Sequence, residues 1–161
     1  MALDLARRVK IWVEWDDTDS DHPNWLARYY GGSAAWKLRP DKDPGKANCI
    51  EILSLRRITL DRQPVPGREE RPRQSYILHE FSHAIHFDLL RADNPAVKEA
   101  YGQAMDRKLY EEAEYFDGRK GKPYARTNQN EYFAELSCAY LRRCDWYPFT
   151  REDMERVWGR K

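Results

Sequence analysis

The chain has 161 residues, with 28 basic against 27 acidic side chains for a net charge of +1 and 34% charged residues. That length suits a single domain over 1–161, long enough to bury about 70% of the surface its unfolded form exposes. Balanced charge excludes a nucleic-acid footprint, and the absence of an apolar run of spanning length excludes a membrane segment.

In chain order, strand character comes first. Residues 9–15, 34–38 and 49–55, and less clearly 57–60, carry β-branched and aromatic residues bounded by Asp, Pro and Gly. Residues 24–29 read as a short helix. Long helices follow at 69–91, where Glu69, Glu70 and Pro72 suit a first turn, and at 95–114 after an Asp93-Asn94 cap. A helix at 128–143 is capped by Thr127 or Asn128, and a last short one opens at Thr150 and ends near Gly159. Strand-rich 1–68 before helical 69–161 means α+β, a small twisted mixed sheet backed by a long helix. The loops 16–23, 61–68 and 117–123 are expected to be mobile. No signal-peptide core follows Met1, so the chain as given is expected to be soluble, a trimmed secreted form being compatible; a monomer is the expected state.

The 69–91 helix carries His79-Glu80-Phe81-Ser82-His83, an H-E-x-x-H pattern. Histidines at i and i+4 lie about 6 Å apart along one helix face and can reach a single ion. Glu80 sits about 100° round the helix, close to the ion without being a ligand. A metal there polarises a carbonyl and acidifies water, and the carboxylate takes the proton. The bland alternative is a surface helix with two histidines. His86 is about 10.5 Å along the axis from His79, too far to share an ion, and reads as a packed helix histidine. His22 reads as solvated.

A third ligand is sought in the 128–143 helix, where Glu131 and Glu135 share a face one turn apart. Two carboxylates so placed on a buried helix repel each other unless a cation or donor compensates them. The local alternative is a capping box in which Asn128 and Glu131 answer one another. Among the remaining candidates, Arg68, Arg71 and Arg73 read as a solvated helix start. The three cysteines, Cys49, Cys138 and Cys144, read as free and reduced, since Cys138 and Cys144 are about 9 Å apart on helical geometry.

Together, His79-Glu80-Phe81-x-His83-Ala84 and Tyr124-x-Arg126-Thr127-Asn128-x-x-Glu131-Tyr132-Phe133-Ala134-Glu135 resemble the catalytic domain of anthrax lethal factor type zinc metallopeptidases, a gluzincin group. The likeness spans His79 to Ala84 and Tyr124 to Leu141. It implies a zincin-like fold and zinc-dependent hydrolysis of a peptide or protein substrate. By position it makes His79, His83 and Glu131 the Zn2+ ligands, Glu80 the general base, Tyr124 the oxyanion donor and Glu135 a carboxylate orienting a ligand histidine. Ser82 replaces a glycine of lethal factor, and His86-Phe87 replace acidic residues. An extended peptide is expected to pair with an edge strand at 34–38. The alternative function is a catalytically inactive, zinc-containing protein-binding module using the 6 Trp and 10 Tyr.

Overall fold

The computed structural model describes residues 2–16, 25–31, 43–61 and 73–159. Within them the chain is α+β. Strands β1 (Lys10–Val13), β2 (Ala27–Tyr29) and β3 (Cys49–Ile52) form a mixed sheet in the order β1-β3-β2. β1 runs parallel to β3 and β2 antiparallel, so Trp12 and Arg28 both stand opposite Glu51. Every residue of β3 is buried. Strand alternation sends Ile50 and Ile52 to one face and Glu51 to the other.

The isoleucine face meets Leu26, Tyr29, Ile58, Tyr76 and Phe81 in one apolar cluster. On the opposite face the Glu51 carboxylate gathers the Lys46 ammonium, Arg28 Nε at 2.9 Å and the Tyr30 hydroxyl at 2.6 Å. Burial opposes the charge, yet these partners hold the Glu51 pKa below its ordinary value.

The helices are α1 (Ala2–Arg8), α2 (Leu55–Asp61), α3 (Tyr76–Ala84), α4 (Pro95–Asp106), α5 (Gln129–Leu141) and α6 (Arg151–Trp158). A π-helical turn (Ile85–Leu90) continues α3, and β4 (Ala113–Glu114) pairs with β5 (Lys120–Gly121). Helix α3 lies against β2 and β3 on one side and packs on α5 on the other. Both helices carry small, fully buried residues, Ser82 and Ala84 on α3 and Ala134, Cys138 and Ala139 on α5, which permit a close approach. A second core of Ala104, Tyr110, Ala125, Tyr132 and Leu136, with Met154 and Trp158 against it, ties α5 to α4 and α6. The sheet thus positions α3, and the C-terminal core positions α5. The site lies where the two helices meet.

Several expected elements differ. The expected helix at 24–29 is strand β2 over 27–29, because pairing with β3 brings Arg28 to Glu51 while Ala27 and Tyr29 join the apolar cluster. The expected strand at 57–60 is part of α2, opened by Ser54, whose hydroxyl accepts the Arg57 N–H at 3.1 Å. Of the helix expected over 69–91, residues 69–72 lie outside the described residues, and α3 begins at Tyr76, where Ser75 caps it through the Leu78 N–H. The helix expected to reach residue 114 stops at Asp106, as Lys108 takes a left-handed φ of 56°. Helix α1 was not anticipated. It is fixed by burial of Leu5. The 34–38 strand, His22, Arg68 and Arg71 lie outside the described residues.

Candidate metal centre

Helix α3 presents His79 and His83 from one face, and α5 presents Glu131 from its first turn. Asn128 starts α5 by accepting the N–H groups of Asn130 at 2.8 Å and Glu131 at 3.0 Å. This is half of the capping box considered for Glu131. Its carboxylate is directed to the histidines: Glu131 Oε2 is 3.1 Å from His79 Nε2 and 3.3 Å from His83 Nε2, and the two Nε2 atoms are 3.2 Å apart. Zinc bonds of about 2.0–2.1 Å at tetrahedral angles place ligand atoms about 3.3 Å apart, so this triangle has the edges such an ion requires. Among the described residues, His79, His83 and Glu131 form the group that can hold a metal ion.

Glu80 is buried, outside that triangle, and faces the same cleft. Burial raises its pKa, opposed by His79 and His83 and by a hydrogen bond from the Tyr29 backbone N–H. That N–H is available because β2 meets β3 through the Leu26 carbonyl and the Tyr30 N–H. Alternation turns the backbone of Ala27 and Tyr29 to the other side of β2, toward the cleft. Tyr124, on the 3-10 turn Tyr124–Arg126 before α5, brings its ring to 6.0 Å from the His79 ring. Burial and the negative charge of Glu131 push the Tyr124 phenol up to about 12, so it keeps its proton.

The cleft has a volume of about 490 Å³, with Trp25, Tyr29, Tyr76 and Trp146 among its walls. Burial works against charge on both ligand-side groups, and pairing outweighs it. Contacts with Cys138, Glu131 and Glu135 raise the His79 pKa well above its ordinary value. The two histidines in turn lower Glu131 to about 2.

All six site residues singled out in the sequence therefore converge: His79, Glu80, His83, Tyr124, Glu131 and Glu135. Glu135 Oε1 is 3.0 Å from His79 Nδ1, on the side of the ring away from Glu131. His86 is fully buried between the rings of Phe87 and Phe133 and takes no part. The cysteines are free, as expected, but Cys144 is not incidental, since its thiol donates to Glu135 Oε2 at 3.0 Å. Arg73 corrects the solvated reading: it is nearly buried and forms an ion pair with Asp145 at 2.8 Å. Gln74 and Asp145 were missed altogether, because nothing in their spacing marks an amide and a carboxylate that meet only after folding. Comparison of the chain with protein-family models, with curated proteins and with solved structures finds no match in any of the three.

Proposed function

We propose that the chain is a zinc-dependent endopeptidase of gluzincin type with a zincin-like fold. The observation that carries this reading is the triangle of His79, His83 and Glu131 ligand atoms, with the Glu80 carboxylate beside it but outside it. When bound, the ion supplies Lewis-acid polarisation of the scissile carbonyl and acidifies the attacking water. Glu80 takes a proton from that water as its oxygen adds to the carbonyl carbon, and its burial-raised pKa suits a base that must later return the proton. Tyr124 donates its retained phenolic proton in a hydrogen bond to the developing oxyanion. As the C–N bond breaks, Glu80 delivers the proton to the leaving amine.

An extended peptide finds its backbone partners on the edge that β2 presents among the described residues, in the Ala27 groups and the Tyr29 carbonyl turned from β3, the Tyr29 N–H being held by Glu80. The aromatic walls favour apolar side chains next to the scissile bond. The second reading, an inert zinc-containing binding module, ranks lower on ligand count. A closed structural zinc takes four protein ligands, whereas three are brought together among the described residues, the number of a catalytic site. Incubation of the zinc-loaded chain with a diverse peptide library, read by mass spectrometry with and without chelator, tests the proposal. Cleavage that the chelator abolishes and zinc restores is expected; an intact library at stoichiometric zinc would overturn it.

A further inference from the structure

Behind His79, the segment just before α3 and the segment just after α5 are locked together. Asp145 accepts Arg73 Nη2 at 2.8 Å on Oδ2 and the Gln74 backbone N–H at 2.8 Å on Oδ1. The Arg73 guanidinium also lies over the Phe116 ring at 3.7 Å. The Asp145 N–H returns to Gln74 Oε1 at 3.2 Å. That contact fixes which way the Gln74 amide points, since its oxygen must face the backbone donor and its nitrogen the other side. The nitrogen then reaches Glu135 Oε1 at 2.6 Å and lies 2.9 Å from His79 Nδ1. As an amide nitrogen only donates, its hydrogen bond goes to the carboxylate, and His79 Nδ1–H converges on the same oxygen.

We propose that Gln74 is a positioning residue for the metal centre: held by Asp145, it fixes the rotamer of Glu135 and so the ring orientation of His79. The proposal rests on the metallopeptidase reading only for what the ring is oriented toward. The local requirement is specific. A leucine at 74 offers Glu135 no donor, and a glutamate would set two carboxylates face to face. The Gln74 amide supplies both a donor to Glu135 and an acceptor for the Asp145 N–H. The arrangement also explains why Glu135 stays charged: burial opposes its ionisation, but His79, Cys144 and Gln74 together hold its pKa below the ordinary value.

The test uses Gln74→Met, which keeps volume and removes the amide, beside Glu135→Gln and the double variant. The first readout is the Nδ1 proton of His79 in nitrogen-resolved NMR of the metal-free chain, assigned by its loss in His79→Asn. It is expected to be protected from exchange in the parent chain and lost in Gln74→Met at an unchanged circular dichroism spectrum. The second is zinc affinity by competitive chelation. Gln74→Met is expected to lower it about 10- to 100-fold, the usual effect of an orienting partner, and the double variant no further than Glu135→Gln alone. A protected Nδ1 proton in Gln74→Met, or losses that simply add, would overturn the positioning role. A parent chain that binds no zinc would remove the metallopeptidase reading, while the NMR readout still decides the part played by Gln74.

Discussion

Glu51 under the sheet and Glu131 at the helix seam are both carboxylates held below their ordinary pKa, yet they are answered in different ways. Glu51 meets two permanent cations and a phenol at a fully buried position. Glu131 meets two imidazoles, whose charge is conditional, and it borders the cleft. A buried charge saturated by the chain's own cations has nothing left to bind, and it builds fold. On the proposed reading, one whose partners are imidazoles able to take an ion builds a site.

The contrast can be broken most forcefully at Glu51. Glu51→Ala leaves Lys46 and Arg28 buried beside one another, and about 3–5 kcal/mol of stability is expected to go with the anion. Urea unfolding measures it, and a loss under 1 kcal/mol would show that the Glu51 carboxylate does not hold the buried cations in the fold. Glu131→Gln is expected to cost the metal-free fold far less while removing most zinc affinity. Equal stability losses from the two variants would erase the distinction.

Within the site, Glu135→Gln should lose less zinc affinity than Glu131→Gln, about 10- to 100-fold for an orienting carboxylate. Chelator competition on both gives the ranking, and the reverse order would exchange their roles. A smaller effect follows from pH. The raised pKa of His79 means that the metal-free ring is protonated around neutrality, so the ion must displace that proton. Zinc affinity should therefore rise by about tenfold per pH unit and level off once pH passes the His79 pKa. Isothermal titration in buffers of different ionisation enthalpy would count the released proton. A pH-independent affinity would place the proton elsewhere. Smallest of all, Tyr124→Phe should lower turnover with little change in Michaelis constant, because the phenol acts on the developing oxyanion. A raised Michaelis constant at unchanged turnover would make Tyr124 a binding residue.

The candidate ligand atoms were legible from the sequence because both motifs are helical and helical spacing is a rigid ruler. Helical pitch put His79 with His83 and Glu131 with Glu135 on shared faces, whereas the choice of Glu131 over Glu135 as the one facing both histidines rested on the family resemblance. Asn128, Thr150 and Asn94 announced their helix starts through side chains that accept backbone N–H groups, as they do in the structure. What sequence could not convey was pairing at a distance. Arg28 turned residues 27–29 into a strand through an anion on another strand. Gln74 and Asp145 meet across 71 residues, and no local pattern encodes that contact. Ser54 was a missed cue of the ordinary kind, a cap hidden by the β-branched residues after it.

The most direct test of zinc-dependent hydrolysis with Glu80 as base is a comparison of Glu80→Gln with the parent chain on the same peptides. Both are to be loaded with zinc and checked for metal content and fold. Equal, stoichiometric zinc in both proteins and loss of nearly all cleavage in Glu80→Gln is the expected result. Cleavage by Glu80→Gln at the parent rate, in a preparation free of other peptidases, would contradict it.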